Sequence, residues 1–484
     1  MVERNGDLEE RCVNKEGLET RLNRHPRLKA RLEGLLDIVD NAGGDLEKAS
    51  AAEQRVIEEL RRMGNDALHC WAEAQERNNS ERLKNSDTDV NKKAKKKLYW
   101  HTCFGTIEVF EQTYASRCAG KIIRPFSCSA EVSCRGYSLP LQRAITDFGA
   151  EVPFHKISAK LYEHYGIDVP VSSSRLITEN HAGNILTHHT LQTEIPEKHG
   201  VDVLIEEVDG CMIPIVKTAE QVEDGQKLDR RTTREVEWKE ARLCFARPKD
   251  TVTPIFGVTI GPPEEAGKQM AHCAIRAGLG SNTKVHGVGD GAPWIADQMN
   301  MVFGPQGSYL IDLYHLCEYL AAAGDAYIPR SRDIWLERQK ELIKSGHISE
   351  VLKELEMHLE PDTVPDKSAP VRACHRYISN RDGQFDYKSA LEAGLPVGSG
   401  EIESAHRYVI QDRLKRSGAW WKIGNAQSML ALRVARANND WDSYWQEFDQ
   451  QFPELRSKRP TPKASVQVLG AWLQTVGFSV TGNC

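Results

Sequence analysis

The spacing of apolar residues changes along the chain, and the changes divide it into segments. Over residues 1–97 the pattern predicts charged helices, because apolar residues recur at helical spacing from about residue 45 to residue 77. A polar stretch over 78–97, rich in Asn, Asp and Lys, predicts a connector. Residues 98–137 contain short alternating runs across a glycine turn, which predicts a small β-rich segment.

Three helical stretches follow within residues 138–195, separated by links that contain Pro and Gly. Three short helices in this order are compatible with a helix-turn-helix that binds DNA. The same triplet is also common as plain structure, so both interpretations stay open. The predicted helices cover residues 139–149, 154–165 and 172–189.

From residue 200 onward, apolar strands alternate with helices, which is typical of a mixed sheet in an α/β domain. A first core segment, 200–326, predicts three or four strands, a helix, a strand, a helix and a last strand. A charged helical block over 327–393 interrupts the core as an insertion. The core resumes over 394–448 with a long helix, 401–416, and a C-terminal tail covers 449–484. The predicted fold is therefore an α/β core preceded by mainly helical N-terminal regions.

Composition is that of an ordinary globular protein, with 40% hydrophobic and 27% charged residues. The start is polar and no run of about 18 apolar residues is present, which favours a cytoplasmic protein over a secreted or membrane protein. The twelve cysteines include no Cys-x-x-Cys pair, which fits reduced thiols. Four of them are separated by 15, 10 and 6 residues, and these spacings do not favour a structural zinc site: Cys103, Cys118, Cys128 and Cys134.

The net charge of −6 does not indicate a nucleic-acid binder, so any basic surface has to be local. Two basic clusters are present. From Arg407 to Arg436 there are seven Lys or Arg residues against one acid, Asp412. Either cluster is also explained by a solvated surface. The second cluster consists of Lys92, Lys93, Lys95, Lys96 and Lys97.

Two aspartates, Asp209 and Asp290, each follow an apolar run and stand directly before glycine. We predict that both end strands, the first with 212–216 returning as its neighbour, because a carboxylate there is presented at the sheet edge. A single Asp-Gly is usually a turn, but two in one sheet favour a site. A third carboxylate would come from the helix after Gly400. Glu401 and Glu403 flank its apolar stripe about 200° apart, so only one can serve the site, and periodicity does not say which.

Four sequence runs together resemble one family of bacterial insertion-sequence transposases, the ISKra-type family. That family belongs to the DDE group, which has a ribonuclease-H-like fold. The resemblance covers roughly residues 100–448. The runs are Glu207–Gly210, His286–Ile295, Tyr309–His315, and Gly394–Arg407 with Arg413-Leu-Lys and Gly-Ala-Trp-Trp after it.

The resemblance implies that Asp209, Asp290 and Glu403 hold two Mg²⁺ or Mn²⁺ ions, with Glu401 as the alternative third acid. Asp312 and His315 match an Asp-x-x-His element that supports the site. The implied chemistry is metal-dependent cleavage at the element's ends and strand transfer into target DNA. The basic helix would then hold DNA phosphates, and the tryptophans would stack on a base or pack in the core: Arg407, Arg413, Lys415 and Arg416, with Trp420 and Trp421.

The implied partners are double-stranded DNA, as terminal inverted repeats and as target, and a second copy of the chain in a homodimer or larger oligomer. No membrane is implied, and the expected location is the cytoplasm, in association with the nucleoid. Two alternatives remain. One is a ribonuclease-H-like nuclease or resolvase without strand transfer, and the other is a catalytically inert DNA-binding protein derived from a transposase.

Overall fold

The computed structural model describes residues 17–41, 48–86, 90–116, 122–188, 190–218 and 234–451. These residues form two compact units. Of the described residues, the first unit contains those up to Gly149, Phe154–Thr178 and residues 445–451. The second contains Ala150–Pro153 and Glu179–Tyr444.

The first half of the chain contains seven helices and four strands among the residues that the structure describes. The helices are α1 Leu18–Asn23, α2 Pro26–Asp40, α3 Ala49–Ser86, α4 Pro125–Ser129, α5 Leu139–Glu151, α6 Phe154–Tyr165 and α7 Val171–His188. The strands are β1 Val90–Thr102, β2 Gly105–Ser116, β3 Ile122–Ile123 and β4 Gly136–Tyr137.

The first unit is built on a sheet with the strand order β3-β2-β1-β4. One face of the β1–β2 hairpin packs on α3 and α4 through a small apolar cluster that includes Leu98, Ile107 and Phe126. The predicted helices at 139–189 are present as α5, α6 and α7. The predicted connector over 78–97 is wrong, because α3 continues to Ser86 and the lysine-rich stretch pairs with β2 as a strand.

The second half begins after α7, and its elements carry the candidate site. The strands are β5 Val203–Thr218, β6 Arg234–Pro248, β7 Ile255–Thr259, β8 Lys284–Gly289 and β9 Gly307–Ile311. The helices are α8 Pro263–Arg276, α9 Pro293–Phe303, α10 Leu313–Tyr327, α11 Arg332–Lys344, α12 Ile348–Glu356, α13 Pro370–Ser379, α14 Tyr387–Glu392, α15 Gly400–Ala405, α16 Asp412–Leu414, α17 Ile423–Ala437 and α18 Trp441–Gln451. A π-helical turn, His406–Gln411, joins α15 to α16.

The five strands of the second unit form one mixed sheet with the order β7-β6-β5-β8-β9. β5, β6 and β7 are antiparallel neighbours, whereas β8 and β9 run parallel to β5. The first strand of the sheet is thus its middle strand, with the second and third on one side and the fourth and fifth on the other. The predicted fold class is confirmed: a mixed α/β core in the ribonuclease-H-like arrangement, with helical N-terminal regions.

Helices cover both faces of this sheet. On one face, Leu204 and Val208 of β5 pack against α8 and α9 in an apolar core with Met270 and Phe303. On the other face lie α15 and α17. The block predicted as a helical insertion contains α11 to α14, which form a second apolar core with β9 and α10.

Candidate active site

Asp209 lies inside a continuous strand rather than at the end of one. β5 is 16 residues long, and Gly210 continues the pairing with β6 opposite Arg242. The prediction that 212–216 turn back as a neighbouring strand is therefore wrong. The strand continues because every second side chain beyond Asp209 is buried on the same face: Cys211, Ile213 and Ile215.

Asp209 lies on β5, and Asp290 directly follows β8, the parallel neighbour of β5. The register of β5 and β8 runs from Val203 opposite Lys284 to Glu207 opposite Val288. The same offset continued by two residues sets Asp209 opposite Asp290, which follows the last residue of β8 directly. Adjacent strands are about 4.8 Å apart, so we expect the two aspartates to lie close together where β8 ends.

The loop that carries Asp290 is held by the helical insertion. Tyr377 of α13 donates its hydroxyl to the carbonyl oxygen of Asp290 at 2.7 Å. Arg381 donates to the carbonyl oxygen of Gly291 at 2.8 Å, and Gly291 adopts a φ of 84°. The Asp290 carboxylate itself accepts the backbone N–H of Ala292 at 2.8 Å. The predicted position of Asp290 at a strand end is confirmed.

The helix that begins at Gly400 runs along β5 and meets its side chains in order. The Glu207 carboxylate accepts the backbone N–H of Ile402 at 2.9 Å. One turn later, His406 Nε2 lies 3.2 Å from Asp209 Oδ2, an ion-pair contact. Further along the helix, Gln411 Nε2 donates to Cys211 Sγ at 3.9 Å. His406 and Gln411 are the first and last residues of the π-helical turn. The wider spacing of a π-helical turn lets both side chains face β5.

Burial and charge perturb this row of side chains. Burial raises the pKa of Glu207 to about 8, against the opposing effect of its backbone hydrogen bond from Ile402. Burial by itself would lower the pKa of His406, but contacts with Asp209 and Cys211 outweigh it and raise that pKa to about 9. A protonated His406 therefore sets a positive charge beside the Asp209 carboxylate.

The two glutamates of this helix have different surroundings. Glu401 forms a two-pronged ion pair with Arg247 of β6, with Arg247 Nε 2.8 Å from the carboxylate. β6 and β8 lie on opposite sides of β5, and the two glutamates flank the helix about 200° apart. Glu403 therefore lies on the β8 side, where Asp290 is. Its side chain is exposed, and among the described residues it makes no hydrogen bond or ion pair.

Asp312 joins the start of α10 to the loop before this helix. Its Oδ1 accepts the backbone N–H groups of Tyr314 and His315 at 2.6 and 3.1 Å. Its Oδ2 accepts both the backbone N–H and the hydroxyl of Ser399, each at 2.6 Å. Asp312 is 3% exposed, so its carboxylate is committed to the fold. His315 is part-exposed and lies 3.6 Å from Glu318.

The residues predicted to contact DNA separate into exposed and buried groups. Arg407, Lys415 and Trp420 are exposed, and the Arg234 guanidinium lies 4.5 Å from the Trp420 ring. Arg416 is part-exposed and donates to the backbone oxygen of Glu151 at 3.2 Å.

Arg413 and Trp421 correct the prediction. Arg413 is 2% exposed and stacks at 4.8 Å on the ring of Trp421, which is 5% exposed. Burial lowers the pKa of Arg413 to about 10. Because neither side chain reaches the surface, both belong to the core and we withdraw them from the DNA-binding set.

The described residues contain no group of three or more His, Cys, Asp or Glu side chains that could hold a metal ion. Asp209, Asp290 and Glu403 therefore do not form such a group in this structure. Of the four cysteines considered for zinc, Cys118 lies outside the described residues. Cys128 and Cys134 are exposed and Cys103 is partly buried.

Sequence reasoning missed the side chains that position the carboxylates. Glu207 was visible as one of two adjacent acids inside an apolar strand, which is unusual for buried positions. His406 lies in the Ser-Ala-His-Arg run of the late helix and carried no separate signal. Arg247, Ser399 and Tyr377 act through contacts distant in sequence and gave no local sign.

Residues 279–447 match the model of a family described as "Uncharacterised protein family (UPF0236)". This stretch includes Asp290, Asp312 and Glu403. The chain is 25% identical over 157 residues to the "UPF0236 protein in vanSb 3'region" of Streptococcus gallolyticus. The alignment covers 32% of this chain and 34% of that protein, so the chain spans about a third of the length of this relative.

Among solved structures, the chain is similar to the "Drosophila P element transposase strand transfer complex". The identity is 9% and the TM-score is 0.23, over 70% of this chain and 86% of that chain. None of the described helices combines the length and the apolar character that a membrane span requires.

Proposed function

We propose that this chain is a DDE-type transposase, which cuts DNA at the ends of a mobile element and joins those ends to target DNA. The observation that carries the proposal is the parallel pairing of β5 with β8, whose register, if continued two residues past its last pair, Glu207 and Val288, would bring Asp209 level with Asp290. Glu403 adds a third carboxylate from the β8 side of the crossing helix. The resemblance to insertion-sequence transposases implies a first acid at the end of the first strand, a second after the fourth strand and a third on a late helix. The chain departs from this only in that Asp209 lies inside its strand.

Asp209, Asp290 and Glu403 would hold two Mg²⁺ or Mn²⁺ ions. Mg²⁺ prefers oxygen ligands and usually binds through one or two carboxylates, with water and substrate phosphate completing its shell. The three acids are not gathered as a metal-holding group in the described residues, so Glu403, which is exposed, would have to turn toward the two aspartates when the ions and the scissile phosphate bind. Once bound, the ions would activate the attacking oxygen and stabilise the departing one.

The neighbouring side chains keep these carboxylates in place. His406 and the paired backbone of β5 fix Asp209, and the contacts from Tyr377 and Arg381 fix the loop of Asp290. Glu403 has no competing partner among the described residues, so it can turn toward the other two acids. A reacting phosphate would then contact Asp209 and Asp290, which are held in place, and Glu403, whose side chain can move.

The exposed basic side chains suit a DNA backbone beside the acids. Arg407 lies one turn beyond Glu403 on the same helix, and Lys415 continues the positive surface. Such contacts position DNA without reading its sequence. Trp420, exposed beside Arg234, is available to stack on an unpaired base. Helices α5 to α7 are the candidate helix-turn-helix for the element's ends, and pairing of two ends would require two copies of the chain.

The test is a cleavage and joining assay with the purified chain, Mg²⁺ or Mn²⁺, and labelled DNA from both flanks of its coding sequence. We expect metal-dependent nicks at defined ends and products in which those ends are joined to a target plasmid. Asp209→Asn, Asp290→Asn and Glu403→Gln should each lower both activities about 1,000-fold, because a metal ligand contributes several kcal/mol to the transition state.

Glu401→Gln is the matched control, since it removes the same charge from the same helix. It should leave both activities close to those of the wild type, because Glu401 lies on the β6 side and Arg247 keeps its hydrogen bonds to the backbone oxygens of Pro248, Lys249 and Thr251. Loss in Glu401→Gln with activity retained in Glu403→Gln would transfer the third acid to Glu401.

Other outcomes would select the alternative functions. Joining that survives Asp209→Asn would contradict the proposal. Metal-dependent cutting without joining would indicate a nuclease or resolvase. Tight DNA binding with no cutting in any metal would indicate a DNA-binding protein derived from a transposase.

A further inference from the structure

The lysine-rich strand β1 is irregular in a way that gathers its charges on one face. Lys92 pairs with Tyr114, and Lys95 pairs with Gln112, so two residues of β1 stand opposite one residue of β2. Without this bulge, an odd spacing of three would put Lys92 and Lys95 on opposite faces. With it, Lys92, Lys95 and Lys97 face the same way, and we refer to these three residues as the lysine face.

Side chains of β2 hold the bulge in place. Gln112 donates to the backbone oxygen of Lys93, and Thr113 donates to that of Ala94 at 2.7 Å. Gln112 and Thr113 are both buried. The alignment of the lysines is therefore built into the hairpin rather than left to a flexible edge.

The lysine face carries unbalanced positive charge. Lys92 and Lys95 are exposed and make no ion pair among the described residues. Lys97 is paired with Glu108 at 2.8 Å. Between Val90 and Ser116 there are five lysines and two glutamates, and the other glutamate, Glu111, is buried on the opposite face.

An aromatic ring stands beside these charges. Phe110 pairs with Lys97 in the register of the hairpin and is 57% exposed, although the face of β2 that packs on α3 is apolar and buried. Lysines on an exposed edge strand also discourage aggregation. Protection against aggregation does not require the lysines to lie on the same face of the strand, whereas binding to a charged surface does.

We infer that the lysine face binds the sugar–phosphate backbone of double-stranded DNA without reading its sequence. Alternate residues of a strand are about 7 Å apart, so Lys92 and Lys95 can engage separate phosphates of one backbone. That the bound polyanion is DNA rests on the proposed function. The lysine face adds a DNA-holding surface in the first unit to the basic helix that follows Glu403 in the second.

The test measures the salt dependence of binding between the full chain and a labelled 30-base-pair duplex of arbitrary sequence, without divalent ions so that no cleavage occurs. Each lost phosphate contact lowers the slope of log Kobs against log salt by about 0.9. Lys92→Gln with Lys95→Gln should therefore lower the slope by about 1.8. Lys92→Arg with Lys95→Arg, which keeps both positive charges, should leave the slope at the wild-type value.

The matched control is Lys93→Gln with Lys96→Gln, which removes the same charge from the same strand. Lys96 pairs with Glu111 on the opposite face and Lys93 lies in the bulge, so the slope should stay near that of the wild type. Equal slopes for the two double variants would overturn the inference. So would binding of the lysine face to vesicles containing phosphatidylserine but not to the duplex.

The two proposals fail separately in this design. A wild-type chain that never cuts DNA but loses slope in Lys92→Gln with Lys95→Gln refutes the transposase and keeps the lysine face. A chain that cuts and joins DNA with an unchanged slope keeps the transposase and refutes the lysine face. Thermal melting of each variant verifies that these exposed substitutions leave the fold intact.

Discussion

Replacing Asp312 with Asn tests whether this carboxylate acts as a clamp on the loop before Glu403. The Asn variant keeps one oxygen for the backbone N–H groups of Tyr314 and His315, because Asn caps helices about as well as Asp. Its NH₂ group replaces the oxygen that now accepts two bonds from Ser399. The backbone N–H of Ser399 would then face another donor.

The size of the effect follows from these bonds. A hydrogen bond to a charged acceptor contributes about 1.5–3 kcal/mol. The Ser399 hydroxyl can rotate to accept from the new NH₂, so its bond is partly recovered. We therefore expect Asp312→Asn to lower the local stability of the loop by about 2–4 kcal/mol. Ser399→Ala, which removes only the hydroxyl bond, should have a smaller effect.

Hydrogen exchange measured by mass spectrometry suits this question, because a chain with two compact units does not unfold in one two-state step. Since about 1.4 kcal/mol corresponds to a factor of ten, the Ser399 amide should exchange about 30 to 1,000 times faster in Asp312→Asn. Cleavage should fall in parallel, because Glu403 would no longer be held near the sheet edge. Glu403→Gln should lower cleavage about 1,000-fold and leave the exchange of the Ser399 amide unchanged.

Unchanged exchange in Asp312→Asn would refute the clamp. If cleavage were nevertheless lost, Asp312 would have to act on the DNA or the metal ions directly. Wild-type cleavage despite fast exchange would show instead that the loop does not position Glu403.

Three further substitutions test other parts of the structure. Tyr377→Phe removes the hydrogen bond that holds the loop after β8, and we expect a several-fold loss of cleavage at about 1 kcal/mol, measured with the same labelled ends. Burial raises the pKa of Glu206 well above its ordinary range. The neutral form of Glu206 stabilises the fold at low pH, and this contribution is lost as pH rises through the raised pKa. The melting temperature should therefore fall less between pH 5 and pH 8 in Glu206→Gln than in the wild type. A Cβ at Gly280 would lie 2.3 Å from the backbone of Gly200, so Gly280→Ala should lower the melting temperature by several degrees. A Cβ at Gly183 in α7 would meet no atom within 4 Å, so Gly183→Ala should leave the melting temperature unchanged or raise it.

Local patterns were sufficient to predict most elements of the α/β core. Strands β6 to β9 and helices α8 and α9 appear in the order that strand-like runs and helical periodicity predict. The exceptions arose where two local signals competed. Asp209-Gly210 has turn chemistry, but buried alternation on both sides carries the strand through it. The lysines of β1 are polar enough for a connector, but pairing with β2 makes them a strand.

Burial was harder to anticipate than secondary structure. Arg413 and Trp421 lie in a segment whose composition suggests a solvated basic surface, yet they stack on each other inside the core. A guanidinium over an indole ring compensates part of the cost of burying its charge. Nothing within a few residues of either position distinguishes them from Arg407 and Trp420, which remain exposed.

The third acid illustrates what only the folded chain can distinguish. In the sequence, Glu401 and Glu403 are equivalent flanks of one apolar stripe, and helix geometry excludes only that both serve the site. The distinction comes from Arg247, 154 residues away from Glu401, which forms an ion pair with it on the β6 side. That pair neutralises one glutamate and leaves the other on the side of Asp290 without a partner among the described residues. A site that must gather negative charge around metal ions would use the carboxylate that has no cation of its own, and this is why Glu401→Gln is the control on which the assignment of Glu403 depends.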